Sequence, residues 1–124
     1  MSLQCETLVV HCIDYRLQGY LNKWLEGNFP TQSYDRVAIA GGVNDVFYVI
    51  RQVDVAVRLH NIEKVILINH EDCGAYGEAG NYERHKSDLI EAKRKIETLF
   101  PDLDVKTYYL HLDGRFEKMS KTKR

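Results

Sequence analysis

The sequence predicts one α/β domain spanning residues 1–124, with a central, mainly parallel sheet of about four strands flanked by helices. Three observations carry this expectation. Short apolar runs rich in β-branched residues alternate with stretches of helical periodicity. The apolar runs are continuous rather than alternating, as in strands covered on both faces. A chain of 124 residues is also long enough to bury one core of this kind.

The first strand is "LVVHC" at 8–12. A helix over about 17–26 follows, because Leu17, Tyr20, Leu21, Trp24 and Leu25 recur at spacings of three and four before Gly27. "RVAIA" at 36–40 is the second strand. The second helix covers about 45–60, with Asn44 or Asp45 as N-cap and Val46, Val49, Ile50, Val53, Val57 and Leu59 on the inward face. "KVILIN" at 64–69 is the third strand. A third helix follows Ser87, carries Leu89, Ile90, Ile96, Leu99 and Phe100 inward, and stops at Pro101. The last run, "VKTYYLHL" at 105–112, is more mixed and leads into "DG", so it belongs near an edge or in a hairpin. Strands joined by helical crossovers lie parallel, and ligands of such sheets bind beyond the strands' carboxyl ends. Those ends are "HCIDYR", "AIAGGVND" and "INHEDCGAYG".

Composition narrows the function classes. With 28% charged residues, 44% hydrophobic residues and a net charge of -1, the chain has no general attraction for nucleic acid or anionic membranes. It contains no apolar run of membrane-spanning length and no leader-like segment, so a cytoplasmic location is expected. The basic tail "EKMSKTKR" reads as a solvated, frayed end. Three cysteines in a reducing compartment are buried, reactive or metal-bound rather than disulfide-linked. Cys5 has only His11 nearby among metal-type ligands and reads as a buried small hydrophobe. His60, His85 and His111 read as surface or half-buried residues.

The chemistry gathers at two of the strand ends. His70 and Cys73 stand three residues apart before Gly74, and that spacing lets an imidazole and a thiolate reach one ion. Cys12 ends another strand, and neighbouring strands are only about 4.8 Å apart. Two sulfurs and one imidazole around a point suit Zn²⁺. In an extended chain Asp14 and Arg16 project to the same side as Cys12, and Arg16 can hold Asp14 as a carboxylate. A thiolate phosphatase loop is a poor fit, because only three residues separate Cys12 from Arg16 and none is glycine. "AGGVND" lacks the full dinucleotide fingerprint and the lysine of a P-loop, so a tight turn before a helix accounts for it.

These residues resemble the β-class carbonic anhydrases. The likeness rests on Cys-x-Asp-x-Arg (Cys12, Asp14, Arg16) and His-x-x-Cys-Gly (His70, Cys73, Gly74), in the family's order, and extends over about residues 7–116. It implies strand order 2-1-3-4, zinc held by Cys12, His70 and Cys73, and reversible hydration of carbon dioxide to bicarbonate by a zinc-bound hydroxide. Asp14 and Arg16 would then be the catalytic pair. Gly41 and Gly42 would line the substrate pocket, and the protein would be a homo-oligomer, a dimer or larger. Two thiolates cancel the charge of Zn²⁺, so the bound water should be less acidic than at a three-histidine site. The chain departs from the family's Arg-Asn-Ala-Gly stretch, carrying Ala38, Ile39, Ala40 and Gly41 instead. Two other functions therefore stand beside hydration: a catalytically silent zinc-binding protein, and a hydrolase of carbonyl sulfide or carbon disulfide.

Overall fold

The structure is a computed structural model and describes residues 4–119. Five strands form one sheet in the order β2-β1-β3-β4-β5, namely β1 (Thr7–His11), β2 (Tyr34–Ala38), β3 (Lys64–His70), β4 (Asp104–Leu110) and β5 (Phe116–Lys118). The first four are parallel, in the predicted order 2-1-3-4, and β5 runs antiparallel to β4. Three helices flank the sheet: α1 (Gln18–Asn28), α2 (Val46–His60) and α3 (Tyr82–Leu99).

Side chains of the two central strands sort by parity between two cores. Leu8 and Val10 of β1, with Val65 and Leu67 of β3, pack against Val49 and Val53 of α2 and Leu89 and Ile96 of α3. Val9, Ile66 and Ile68 point the other way, onto Leu17, Leu21 and Leu25. A strand presents successive side chains to opposite faces, so continuous apolar runs are what two covered faces require. No helix among the described residues is long and apolar enough to cross a membrane.

Several elements differ from the sequence reading. Helix α3 begins at Tyr82, where the Asn81 side chain accepts a hydrogen bond from Arg84 N, so the cap lies six residues ahead of Ser87. Helix α1 continues through Gly27 to Asn28. Leu59 is 61% exposed: two residues past Val57 it lies about 200° round the helix from that inward position. Ile90 and Leu99 are likewise exposed. The fifth strand closes the "DG" hairpin. Gly114 at its tip has φ +94°, and a Cβ there would lie 2.6 Å from the Tyr20 ring. Phe116 stacks on Trp24 at 4.6 Å and 10°, which anchors β5 to α1. Met119 is buried and its N–H donates to Thr107 O, so Glu117, Lys118 and Met119 of the basic tail belong to the fold; residues 120–124 lie outside the described residues.

Candidate metal centre

Strands β1 and β3 lie side by side in register, Val10 opposite Leu67. That pairing brings Cys12, one residue past β1, beside His70, the last residue of β3, and Cys73 in the turn beyond. The three are buried, and their ligand atoms all lie within 4.8 Å of one another. The Cys12 and Cys73 sulfurs are 3.9 Å apart, close to the roughly 3.8 Å separating two sulfurs that sit about 2.3 Å from a tetrahedral zinc ion.

The tautomer of His70 makes the sharper test of fit. Its Nδ1 lies 2.7 Å from Glu71 O, and a carbonyl can only accept, so Nδ1 carries the proton. The lone pair on Nε2 is then buried with no hydrogen-bond partner. An orphan acceptor beside two thiols costs free energy unless something fills it, and this donor set fits zinc. Protons compete for the same atoms. Cys12 is acidified chiefly by the hydrogen bond from Cys73, against burial, while that same contact and burial push the Cys73 thiol up. Burial works against a charged His70, but the Cys12 contact and the Glu71 carbonyl outweigh it and raise its pKa. Zinc affinity is therefore expected to rise with pH, with proton release, as calorimetry in buffers of different ionisation enthalpy would read.

Asp14 and Arg16 come together by a different route from the one extended geometry suggests. The chain turns into a 3-10 segment at Tyr15–Leu17, whose first turn is capped by the Asp14 carboxylate accepting from Arg16 N at 2.9 Å. The turn folds the guanidinium back: Nη2 donates to Asp14 Oδ2 at 2.7 Å and Nε to Oδ1 at 3.1 Å. These contacts hold the Asp14 carboxyl at about 2, well below the usual range. Its Oδ2 lies 3.8 Å from His70 Nε2. Arg16 also reaches across to the Cys73 turn, donating to Asp72 O at 2.8 Å and to Asp72 Oδ2 at 3.1 Å.

The glycines sit close by. Gly41 (φ +83°) directs its N–H to Cys12 Sγ at 3.3 Å, and Gly42 (φ +56°) packs against Asn69. Asn69 was not singled out by the sequence, yet its amide joins three segments. Its Oδ1 accepts from Val43 N at 3.1 Å, and its Nδ2 donates to Tyr76 OH at 3.0 Å and to His85 Nδ1 at 2.9 Å. Gln18 was missed too; its amide donates to the carbonyls of Asp14 and Cys12. Neutral amides have no periodicity or ligand spacing to betray them, so only the fold reveals these roles.

His11, His85 and Tyr76 are each buried. The His11 ring, as strand parity predicts, points away from the cluster: Nδ1 meets Cys12 O, and Arg36 Nε donates to Nε2 at 2.7 Å. His85 is fully buried rather than near the surface, and burial lowers its pKa to about 4. The unfolded chain takes up this proton below about pH 6.5 while the native state refuses it until about 4, so stability drops as pH falls through that window. Metal-free protein is expected to lose on the order of 2 kcal/mol from this group between pH 7 and 5, and urea midpoints of wild type against His85→Gln would isolate it.

The fold and this centre together define a class: a parallel α/β sheet with a Cys/His/Cys cluster beyond the carboxyl ends of adjacent strands. Residues 2–120 match the family model described as "Putative carbonic anhydrase". The chain belongs to that family. An uncharacterized protein of Rickettsia bellii is 27% identical over 135 aligned positions, covering 94% of this chain and 82% of the relative. Among solved structures, carbonic anhydrase from Streptococcus mutans superposes with a TM-score of 0.63 at 20% identity, covering 97% of this chain and 86% of the other. Isoform I of β-carbonic anhydrase from Trichomonas vaginalis gives 0.69 at 12% identity, over 98% and 86% of the two chains. The last two likenesses establish the fold.

Proposed function

We propose that the protein is a single-domain, zinc-dependent carbonate dehydratase that converts carbon dioxide and water to bicarbonate and a proton, reversibly. The observation that carries this reading is the convergence of Cys12, His70 and Cys73, with an unpartnered Nε2 lone pair, beside a carboxylate held by arginine. Cys12, His70 and Cys73 hold the metal. Zinc, when bound, supplies the Lewis acidity that makes hydroxide available near neutral pH for attack on the carbon of carbon dioxide. Asp14, ionised throughout the working range, accepts a hydrogen bond from the attacking oxygen and so turns its lone pair toward substrate. Arg16 fixes that carboxylate and ties it to the Cys73 turn. Gly41 and Gly42 line the substrate side of the centre through their backbone, and packing against Asn44, Ala75 and Asn69 leaves neither room for a Cβ.

Metal analysis and a proton-release assay test this reading. About one zinc per chain is expected at this centre, with hydration at pH 7 and a several-fold higher rate at pH 8.5, because two thiolates leave the reacting water less acidic. Zinc at this centre without hydration at either pH would instead favour the silent zinc protein. That second reading draws on Ala38 and on Ile39, which packs against the core, at the two positions where the family's pattern has polar residues. Turnover of carbonyl sulfide or carbon disulfide in place of carbon dioxide would favour the hydrolase.

A homo-oligomer fits the exposed Ile13 (57%) and Tyr15 (86%) flanking Asp14; sedimentation of wild type against Tyr15→Lys would read it. A reducing cytoplasm suits two thiols that must stay reduced to bind metal.

A further inference from the structure

At the opposite end of the sheet a second set of metal-type ligands comes together. Cys5 precedes β1, Asp35 is the second residue of β2 and His60 is the last residue of α2, yet their ligand atoms all lie within 4.8 Å of one another. Cys5 is therefore half-buried beside two such ligands, rather than an isolated apolar thiol. Backbone bonds fix the arrangement: Cys5 N donates to His60 O at 3.1 Å, and Glu6 N to Ser33 O at 3.3 Å. Asn61, in the left-handed region at φ +53°, ends α2 so that the His60 ring turns onto β2. Its Nδ1 lies 2.7 Å from Asp35 Oδ2.

We propose that Cys5, Asp35 and His60 form a second divalent-cation site, with zinc as its natural occupant, that staples β2 to the C-terminus of α2. The donor set of one thiolate, one imidazole and one carboxylate is one that zinc accepts, with water completing the shell on the solvent side. Binding displaces the Cys5 thiol proton to solvent, shifts the imidazole proton of His60 from Nδ1 to Nε2 and breaks the Asp35–His60 contact, whose two atoms then both face the ion. A nucleophilic role fits the same residues poorly. The imidazole is engaged by the carboxylate, and burial and Asp35 together push the Cys5 thiol up. A dication reverses that balance by neutralising thiolate and carboxylate at once. The length of β1 separates this site from the Cys12 centre by roughly 20 Å, so the two load independently.

The test is zinc titration of the metal-free full-length protein against a chromophoric chelator. Wild type should bind two equivalents, Cys5→Ser and His60→Ala one each, and Cys12→Ser/Cys73→Ser one. Loss of a direct ligand should cost more than the roughly 10–100-fold that loss of an outer partner costs a metal site. Cobalt in the Cys12→Ser/Cys73→Ser variant should show a thiolate-to-metal band that disappears on adding Cys5→Ser. Zinc should also protect Cys5 of the folded wild type from alkylation, a readout that does not depend on any variant folding. One equivalent in wild type, unchanged by Cys5→Ser, would overturn the site, as would a second equivalent that survives Cys5→Ser/His60→Ala. If wild type binds one equivalent and Cys5→Ser removes it, this site stands and the Cys12 centre fails.

Discussion

Asp14→Ala should retain zinc at the Cys12 centre and lower kcat/KM for carbon dioxide hydration by about 100-fold or more. The magnitude follows from what mispositioned hydrogen-bonding partners of a metal site cost, at the upper end of roughly 10–100-fold, together with the share that an oriented proton acceptor contributes, about 10²–10⁴. The zinc should stay because three other atoms already converge without the carboxylate. Asp14→Asn should be nearly as damaging: it preserves shape but cannot serve as the same acceptor beside Arg16 Nη2. Because Arg16 keeps Asp14 ionised down to about 2, any activity change between pH 7 and 8.5 cannot come from Asp14 itself titrating. Stopped-flow hydration with metal analysis of the same samples would check this. A fall in activity that tracks loss of zinc would make Asp14 a ligand instead.

Gly42→Ala should be strongly destabilising. The residue sits at φ +56°, and its new Cβ would fall 2.4 Å from Asn69 Oδ1 and 3.2 Å from Ile68 O. Asn69 cannot swing aside without abandoning Val43 N, Tyr76 OH and His85 Nδ1. Left-handed strain of roughly 1 kcal/mol and a broken buried hydrogen bond of about 1–3 kcal/mol together give a loss of about 3 kcal/mol, or about 10 °C in Tm for a domain of this size. Gly27→Ala makes the internal control. It lies in α1 with nothing within 4 Å of its Cβ, so it should stabilise by about 0.5–1 kcal/mol. Thermal melts of the two variants should move in opposite directions; a Gly42→Ala melt level with wild type would show that Asn69 yields freely.

The buried strands and the Cys12, His70 and Cys73 cluster were legible in the sequence for one physical reason. Strands covered on both faces must be apolar throughout, so "LVVHC" and "KVILIN" stand out, and any His or Cys at their ends stands out against them. The exposed strand β5 has no such contrast. Phe116, Glu117 and Lys118 form a strand because Trp24 covers one of them and β4 offers its edge, two facts distant in the chain. The start of α3 was hidden because the apolar stripe begins only at His85 and Leu89, well after the Asn81 cap. Asp14 and Arg16 were correctly paired from an incorrect local geometry: the extended path and the 3-10 turn both bring them together. Cys5, Asp35 and His60 are spread over three elements, and only the packing of α2 across β1 and β2 joins them.

Asn69 immediately precedes His70, and its amide also spaces the glycine turn at 41–43. Anyone rebuilding that turn to admit a bulkier or more polar reactant will thus be retuning His70, the proposed imidazole ligand, with the same stroke. Altered selectivity in such variants should arrive with altered zinc retention, and screens that score only product will confuse the two.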